Sequence, residues 1–336
     1  MKNNDAYTAS VILKEAIMDK YVPDDFYSTT NHKTLIFLED SWVTVQGQRM
    51  DAMIVVKGTE AYCKKLRDIK KGDQLVCGDT GVKVLNHADS EDKDLFGFMN
   101  NCVSSERRNE LIIRELAENI VNNNKKVTFV LGPVVVHTGG DAYLMELIRE
   151  GYVSSILAGN AVAVHDIEKS LYGTSLGVCA KSGRSVQHGY RNHMRAINQV
   201  NRHGSIKEAV AAGAINSGIM YECVKNSIPF VLAGSLRDDG PLPDTITDMV
   251  KAQEAYSTYL MDSEIVVVLG SMLHGIASGN MLPARVEMVC VDINPAVVTK
   301  LSDRGSSQAA GIVTDVGLFL NLLVKELKEK QLLQVI

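Results

Sequence analysis

The sequence predicts an α/β protein in two parts, a doubly wound parallel sheet preceded by a smaller β-rich domain. Three observations carry that prediction. The chain has 336 residues, enough for about two domains. Six apolar, strand-length runs recur after residue 125, each followed by a helical segment. Before residue 100 the runs are shorter, closer together and separated by turn residues. Continuous Val/Ile/Leu runs mark strands buried on both faces, and helices between them make a parallel sheet.

Residues 1–100 carry KTLIFLE (33–39), SWVTVQ (41–46), AMIVVKG (52–58) and DQLVCGD (73–79), divided by EDS, KKGD and GDTG. This pattern predicts a small sheet or barrel-like domain. EAYCKKLRDI (60–69) reads as its one helix. A long amphipathic helix is expected over 104–124, opened by Ser104 with a capping-box-like glutamate nearby, and it starts the second domain, 101–336. The six strand runs are VTFVLG (127–132), VSSILAG (153–159), IPFVLAGS (228–235), EIVVVLGS (264–271), VEMVCVDIN (286–294) and AGIVTD (310–315).

Composition excludes several functions. With 35 basic and 40 acidic side chains, net charge −5, the chain offers no basic field for nucleic acid or an anionic membrane. No apolar run reaches the length of a membrane span, and the charged start lacks the core of a secretory signal. A cytoplasmic protein is expected. Six scattered cysteines form no CxxC pair, so neither a zinc site nor a disulfide framework is expected.

In doubly wound sheets ligands lie beyond the carboxyl ends of the strands. The glycine-rich fingerprint GxGxxG is absent, but other strand ends suit a dinucleotide. After Gly270, the residues Ser271, Met272, Leu273 and His274 open a helix, whose free N–H groups attract a pyrophosphate. An ordinary strand-to-helix turn is the plainer reading of that segment alone. Asp292 follows Gly270 by 22 positions, close to where an acidic residue holds the adenosine ribose. Asn294 adds contacts or caps the next helix. Asp315 and Val316 end another strand, and this succession favours NAD. Asn160 and Ala161 sit at a small-residue turn that a cofactor can approach closely, with His165 and Asp166 beyond, His165 reading more as structural. Thr138–Asp141 makes a second such turn.

VQHGYRNHMRAINQVNRHGS (186–205) carries Arg191, Arg195 and Arg202 with His188, His193 and His203. It reads as a solvated or subunit-contacting helix, or as a grip on a substrate carboxylate. The densest polar segment is LAGSLRDDGPLPD (232–244), where Arg237, Asp238 and Asp239 follow a buried strand. Such a group suits proton transfer or ammonium binding, with Asp239 slightly ahead.

These stretches resemble the family of archaeal-type ornithine cyclodeaminases and the carboxy-terminal half of the cyanobacterial bifunctional arginine dihydrolase/ornithine cyclodeaminases. It is also named by its lysine-ketoglutarate reductase/saccharopine dehydrogenase conserved region. The matching stretches include DDFYSTTNH (24–32), QRMDAMIVV (48–56), KLRDIKKGD (65–73), LAGNAVAVHDIE (157–168), LAGSLRDDGPLPD (232–244), SMLHGIASGNMLP (271–283) and CVDINPAVVTKLSDRGSSQAAGIVTDVG (290–317). They span nearly the whole chain. Family members usually have a longer segment before DDFYSTTNH, so a short or trimmed chain is expected. The resemblance implies a Rossmann-like NAD domain of the deoxyhypusine-synthase type, and conversion of L-ornithine to L-proline and ammonia with catalytic NAD. Arginine dihydrolysis is not implied. On that reading Asp239 moves protons and also touches the cofactor, Arg237 or Arg191 holds the substrate carboxylate, and Asp238, Lys300 and His274 stand behind them. A homo-oligomer is expected. An NAD-linked amino-acid or saccharopine-type dehydrogenase and a non-catalytic NAD-sensing module remain the alternatives.

Overall fold

The computed structural model describes residues 9–85, 105–123, 125–238, 240–304 and 309–334. They fall into two compact units. Asn280–Arg285 joins the amino-terminal one, and the other is built from Leu95–Gly279 and Val286–Ile336.

The amino-terminal unit is one seven-stranded sheet. Its strands are β1 (Ile12–Glu15), β2 (Lys33–Leu38), β3 (Ser41–Gln46), β4 (Met53–Lys57), β5 (Glu60–Lys64), β6 (Gln74–Cys77) and β7 (Val82–Leu85). They lie in the order β1-β6-β4-β5-β3-β2-β7, antiparallel except where β3 meets β5. Strand β4 is buried on both faces. Ile54 and Val56 pack with Ile36, Leu38 and Val76, whereas Met53 and Val55 pack with Ile69 and Leu75 on the other side. That split follows from the two-residue side-chain period of a strand.

The helix expected over 60–69 is absent. Glu60–Lys64 is strand β5, paired antiparallel with β4 so that Lys57 faces Glu60, and only one 3₁₀ turn, Leu66–Asp68, follows. Gly58, at φ +57°, occupies the first central position of a two-residue hairpin loop, where a primed turn needs positive φ. Sheet pairing here overrides the helical propensity of Glu, Ala, Lys and Leu.

The carboxy-terminal unit alternates helices with strands. After α1 (Ser105–Asn123) come β8 (Val127–Leu131), α2 (Val134–His137), α3 (Asp141–Arg149), β9 (Ser155–Gly159), α4 (Asn160–Tyr172), β10 (Thr174–Ser175) and β11 (Val178–Cys179). Then α5 (Asn192–His203), α6 (Ile206–Ala211) and α7 (Ile219–Lys225) lead to β12 (Phe230–Ala233) and β13 (Thr245–Ile246). The chain ends with α8 (Met249–Asp262), β14 (Ile265–Leu269), α9 (Met272–Met281), β15 (Glu287–Asp292), α10 (Pro295–Arg304), β16 (Ala309–Val313) and α11 (Val316–Gln334). All six expected runs are strands. The proposed cap Ser104 lies outside the described residues.

The main sheet runs β13-β12-β9-β8-β14-β15-β16, and every neighbouring pair is parallel. Numbered among the six long strands, this is the order 3-2-1-4-5-6 of a dinucleotide-binding sheet, with β13 added at one edge. The strand order reverses between the parallel neighbours β8 and β14, and both are buried along their whole length. The core includes Phe129, Leu131, Ile156, Val267, Val291 and Phe319. No helix among the described residues is long and apolar enough to cross a membrane.

Candidate functional site

The carboxyl ends of β8 and β14 flank the point where strand order reverses, the place such sheets use for ligands. Both strands end in glycine, and both glycines are required. The Gly132 N–H donates to the Leu269 carbonyl at 2.8 Å. A Cβ on Gly132 would stand 1.9 Å from the Gly270 carbonyl oxygen. Gly270 has φ +58°, and a Cβ there would stand 2.0 Å from Val134 Cγ1. Any side chain at either position drives the two connections apart.

Helix α9 starts directly beyond Gly270. The Ser271 carbonyl accepts the Gly275 N–H at 2.9 Å, which makes Ser271 the cap residue of α9. Met272 and Leu273 are exposed, Leu273 by 74%, an unusual amount for a leucine beside a core strand. His274 turns inward over the end of β9. A Cβ on Gly159 would lie 2.9 Å from its Cε1, and its ring meets Tyr256 edge-on at 5.8 Å. Tyr256 in turn donates its hydroxyl to the Ala158 carbonyl at 2.8 Å. The His274 Nδ1 is buried without a partner among the described residues. Burial pushes this imidazole below its ordinary pKa, which favours the neutral ring.

Two further helix starts follow on the same side. Asp292 ends β15 and accepts the Asn294 N–H at 2.8 Å. Asn294 accepts the Ala296 N–H at 3.0 Å and caps α10, with Pro295 in the first helical position that suits it. Asp315 accepts the Leu318 N–H at 3.0 Å and caps α11, above the buried Val316. Thus α9, α10 and α11 each begin at the carboxyl end of a strand with free N–H groups and a polar cap. Lys300 is exposed on α10.

On the other half of the sheet, Asn160 opens α4 and is 4% exposed. Its Oδ1 accepts the Leu242 N–H and the Thr245 hydroxyl, both at 3.0 Å, which fastens the loop beyond β12; Ala161 beside it is half-buried. In that loop the Asp238 carboxylate accepts the Ser235 N–H at 2.8 Å, and the Arg237 N–H donates to Ser235 Oγ at 3.0 Å. Asp238 is therefore engaged in shaping the turn, while the Arg237 side chain is exposed. Asp239 lies outside the described residues.

The Thr138–Asp141 turn serves packing. A Cβ on Gly140 would lie 3.1 Å from Leu320 Cδ1, and one on Gly317 3.1 Å from the Thr138 carbonyl. The small residues let this turn close on α11, and buried Asp141 pairs with Lys169 at 2.7 Å.

A polar cluster that no sequence motif marks lies on α4 and the residues that follow it. His165 Nδ1 meets Glu168 Oε2 at 3.2 Å. Its ring lies 5.1 Å from that of His137, whose Nδ1 is 2.7 Å from Ser175 Oγ. Glu168 is fully buried and also accepts the Thr174 hydroxyl at 2.8 Å and the Leu176 and Gly177 N–H groups at 3.1 Å. Burial alone would raise its pKa, but the hydrogen bonds from His165, Gly177, Thr174 and Leu176 together hold it below the ordinary value. The available signal was His165 and Glu168 three apart on one helix face. Asp166, buried next to them, accepts the Ile219 and Met220 N–H groups at 2.8 Å and caps α7; burial pushes its pKa up to about 7.

The basic segment forms a cavity of about 340 Å³ lined by Tyr172, Gln187, His188, Arg191, Asn192 and Arg195. Arg195 stacks 4.4 Å over Tyr172 and reaches Asn192 Oδ1 at 3.3 Å. Asn192 donates to Thr174 at 2.9 Å, linking this cavity to Glu168. Arg202 is exposed further along α5. No grouping among the described residues could hold a metal ion.

The chain matches two descriptions of one family: "Arginine dihydrolase ArgZ-like, C-terminal, Rossmann fold" over residues 110–323, and the C-terminal "first region" of the same proteins over 33–113. It is 52% identical over 323 residues to the ornithine cyclodeaminase of Methanothermobacter thermautotrophicus, covering 94% of this chain and 79% of that one. It is also 52% identical to the bifunctional arginine dihydrolase/ornithine cyclodeaminase AgrE of Nostoc sp., again over 94% of this chain. The chain spans less than half of that relative, 46% of its length. The crystal structure of AgrE in a ternary complex with ornithine and NAD+ superposes with a TM-score of 0.64 at 49% identity, covering 98% of this chain and 47% of that one. With 52% identity along nearly its whole length and both family descriptions matched in chain order, the chain belongs to the ArgZ-like C-terminal family, whose larger part has the Rossmann fold.

Proposed function

We propose that this protein is an NAD-dependent ornithine cyclodeaminase, converting L-ornithine to L-proline and ammonia. The observation that carries the reading is the row of three capped helix starts beside the Gly132–Gly270 contact, in a chain half identical to proteins named for that activity. The residues fit a dinucleotide. The two glycines, with no room for a Cβ, keep the ends of β8 and β14 in contact, and the α9 start beyond them leaves N–H groups where the helix dipole favours a pyrophosphate.

In this reading the backbone of Ser271, Met272, Leu273 and His274 holds the pyrophosphate. Asp292 takes the adenosine ribose, aided by Asn294, while Asp315 and Val316 border the same half. Asn160 and Ala161 lie at the reactive end, at the start of α4 just beyond β9. Bound NAD supplies a reversible hydride acceptor for the substrate α-carbon. The chain's own groups must hold the substrate carboxylate, keep the δ-amine within reach of Cα and move protons among nitrogens. Asp239 takes the proton-transfer role and borders the cofactor, with Arg237 at the carboxylate and Asp238 and Lys300 as alternates. Residues 1–100 and 101–336 act as the two domains.

We also infer that the enzyme works in the cytoplasm, as a homo-oligomer, in proline formation. The free thiols Cys63, Cys77, Cys179, Cys223 and Cys290 suit a reducing compartment. The test is direct. Pure protein given L-ornithine and NAD+ should release proline and ammonia in equal amounts, and accumulation of NADH with substrate would favour a dehydrogenase instead.

A further inference from the structure

The amino-terminal unit holds a second concentration of functional chemistry, and it lies in the stretches DDFYSTTNH, QRMDAMIVV and KLRDIKKGD. Thr29, 4% exposed, fixes the loop between β3 and β4. Its hydroxyl donates to the Arg49 carbonyl at 2.6 Å and accepts the Ala52 N–H at 3.1 Å, and its carbonyl accepts the Asp51 N–H at 3.1 Å. Gln48 is 9% exposed and donates Nε2 to the Thr30 carbonyl. The loop is thus held rigidly against Thr29 and Thr30.

What this rigid loop presents is unsatisfied. Arg49 Nε is buried with no hydrogen-bond partner among the described residues, and so are Gln48 Oε1 and His32 Nδ1. Burial, and then the nearby Arg67 charge, push Arg49 below its ordinary pKa. A buried donor, a buried acceptor and two neighbouring guanidiniums weaken a fold, and such groups persist where a ligand completes them. A guanidinium is matched by a carboxylate, which it binds through two parallel hydrogen bonds. Asp51 and Asp68 also act on Arg49 electrostatically, which disfavours a phosphate dianion. The orphaned amide oxygen of Gln48 calls for a donor such as an ammonium group.

We infer that the β3–β4 loop is a binding site for a free α-amino acid, with Arg49 holding its carboxylate and Gln48 Oε1 accepting from its ammonium group. The site stands on the amino-terminal unit alone. Only the choice of an ornithine-like probe rests on the proposed function.

Isothermal titration of the full chain with α-methylornithine tests it, since that compound keeps the carboxylate and both amines but has no α-hydrogen to lose. The wild type should bind it about 100-fold more tightly than putrescine, which lacks the carboxylate, and Arg49→Gln should erase that difference. NAD affinity should be unchanged, and the ligand-free melting temperature should not fall, because a buried Nε–H without a hydrogen-bond partner has been removed. Arg49→Lys keeps the charge and should bind about 10-fold more weakly than the wild type, which covers the case in which the glutamine variant does not fold. If KM for ornithine rises in step with the dissociation constant, the occupant is the substrate and Arg49 takes the carboxylate role given above to Arg237. If KM holds while one binding event disappears, the occupant is a second, non-reacting amino acid. Equal affinity of folded Arg49→Gln and wild type for α-methylornithine would overturn the site. Wild-type protein that shows Arg49-dependent binding but no proline formation would sink only the enzymatic reading.

Discussion

Asp292, Asn294 and Asp315 show why single residues are hard to assign from sequence. Each was legible as a polar group at a strand end, yet each also caps a helix or its approach. Capping and ligand binding select the same short polar side chains, so residue type alone does not divide the two tasks. Substitution does. Asp292→Ala should weaken NAD binding by about 1–3 kcal/mol, the worth of a charged hydrogen bond, as measured by NAD titration of the folded variant. An unchanged dissociation constant would leave Asp292 with the turn alone. NADP should bind more weakly than NAD, because its 2′-phosphate meets a carboxylate. Asp239→Asn should lower proline formation by about 10²-fold or more with little change in melting temperature. Earlier melting with near-normal turnover would assign Asp239 to the turn and move the proton-transfer role to Asp238 or Lys300.

Among elements, long strands were the most legible and connections the least. Each of the six buried runs became a strand because continuous β-branched and leucine residues have few other ways to be covered on both faces. The segment 60–69 was misread because helix-forming residues there answer to pairing with β4. The short strands β10, β11 and β13 carry no pattern to read. The Glu168 cluster was hidden for another reason: its partners Thr174, Leu176 and Gly177 lie beyond the end of α4 and reach it only because the chain turns back at Gly173. Because the Glu168 pKa is held low, the stability from these bonds is complete above the ordinary glutamate value. It is lost as pH falls through the lower, folded value. Melting curves from about pH 7 to 3 should show this acid limb, and Glu168→Gln should flatten it while lowering stability near neutrality. Asp166→Asn replaces a carboxylate that receives two N–H groups of α7 and should cost about 1–3 kcal/mol, read as a shifted denaturant midpoint. No shift would mean that α7 is held by packing alone.

For the whole molecule, the class of the larger sheet was legible, but its strand order was not. Both halves alternate strands with helices in the same way, and only the pairing of β8 with β14 sets the reversal point. That pairing puts three helix starts on one half and the Asn160 loop on the other. The division matches a ligand with an adenosine end and a reactive end. The central claim is that hydride leaves and returns to the same carbon within one active site, so that ornithine becomes proline without net oxidation. The most direct test is to supply L-ornithine deuterated at C2 with less NAD than substrate, then to analyse the proline by mass spectrometry and NMR. The account predicts one ammonia per proline, deuterium retained at C2 of proline, and no NADH beyond the amount of enzyme. Loss of the label to solvent, or NADH and an oxo acid rising with the ornithine consumed, would contradict it.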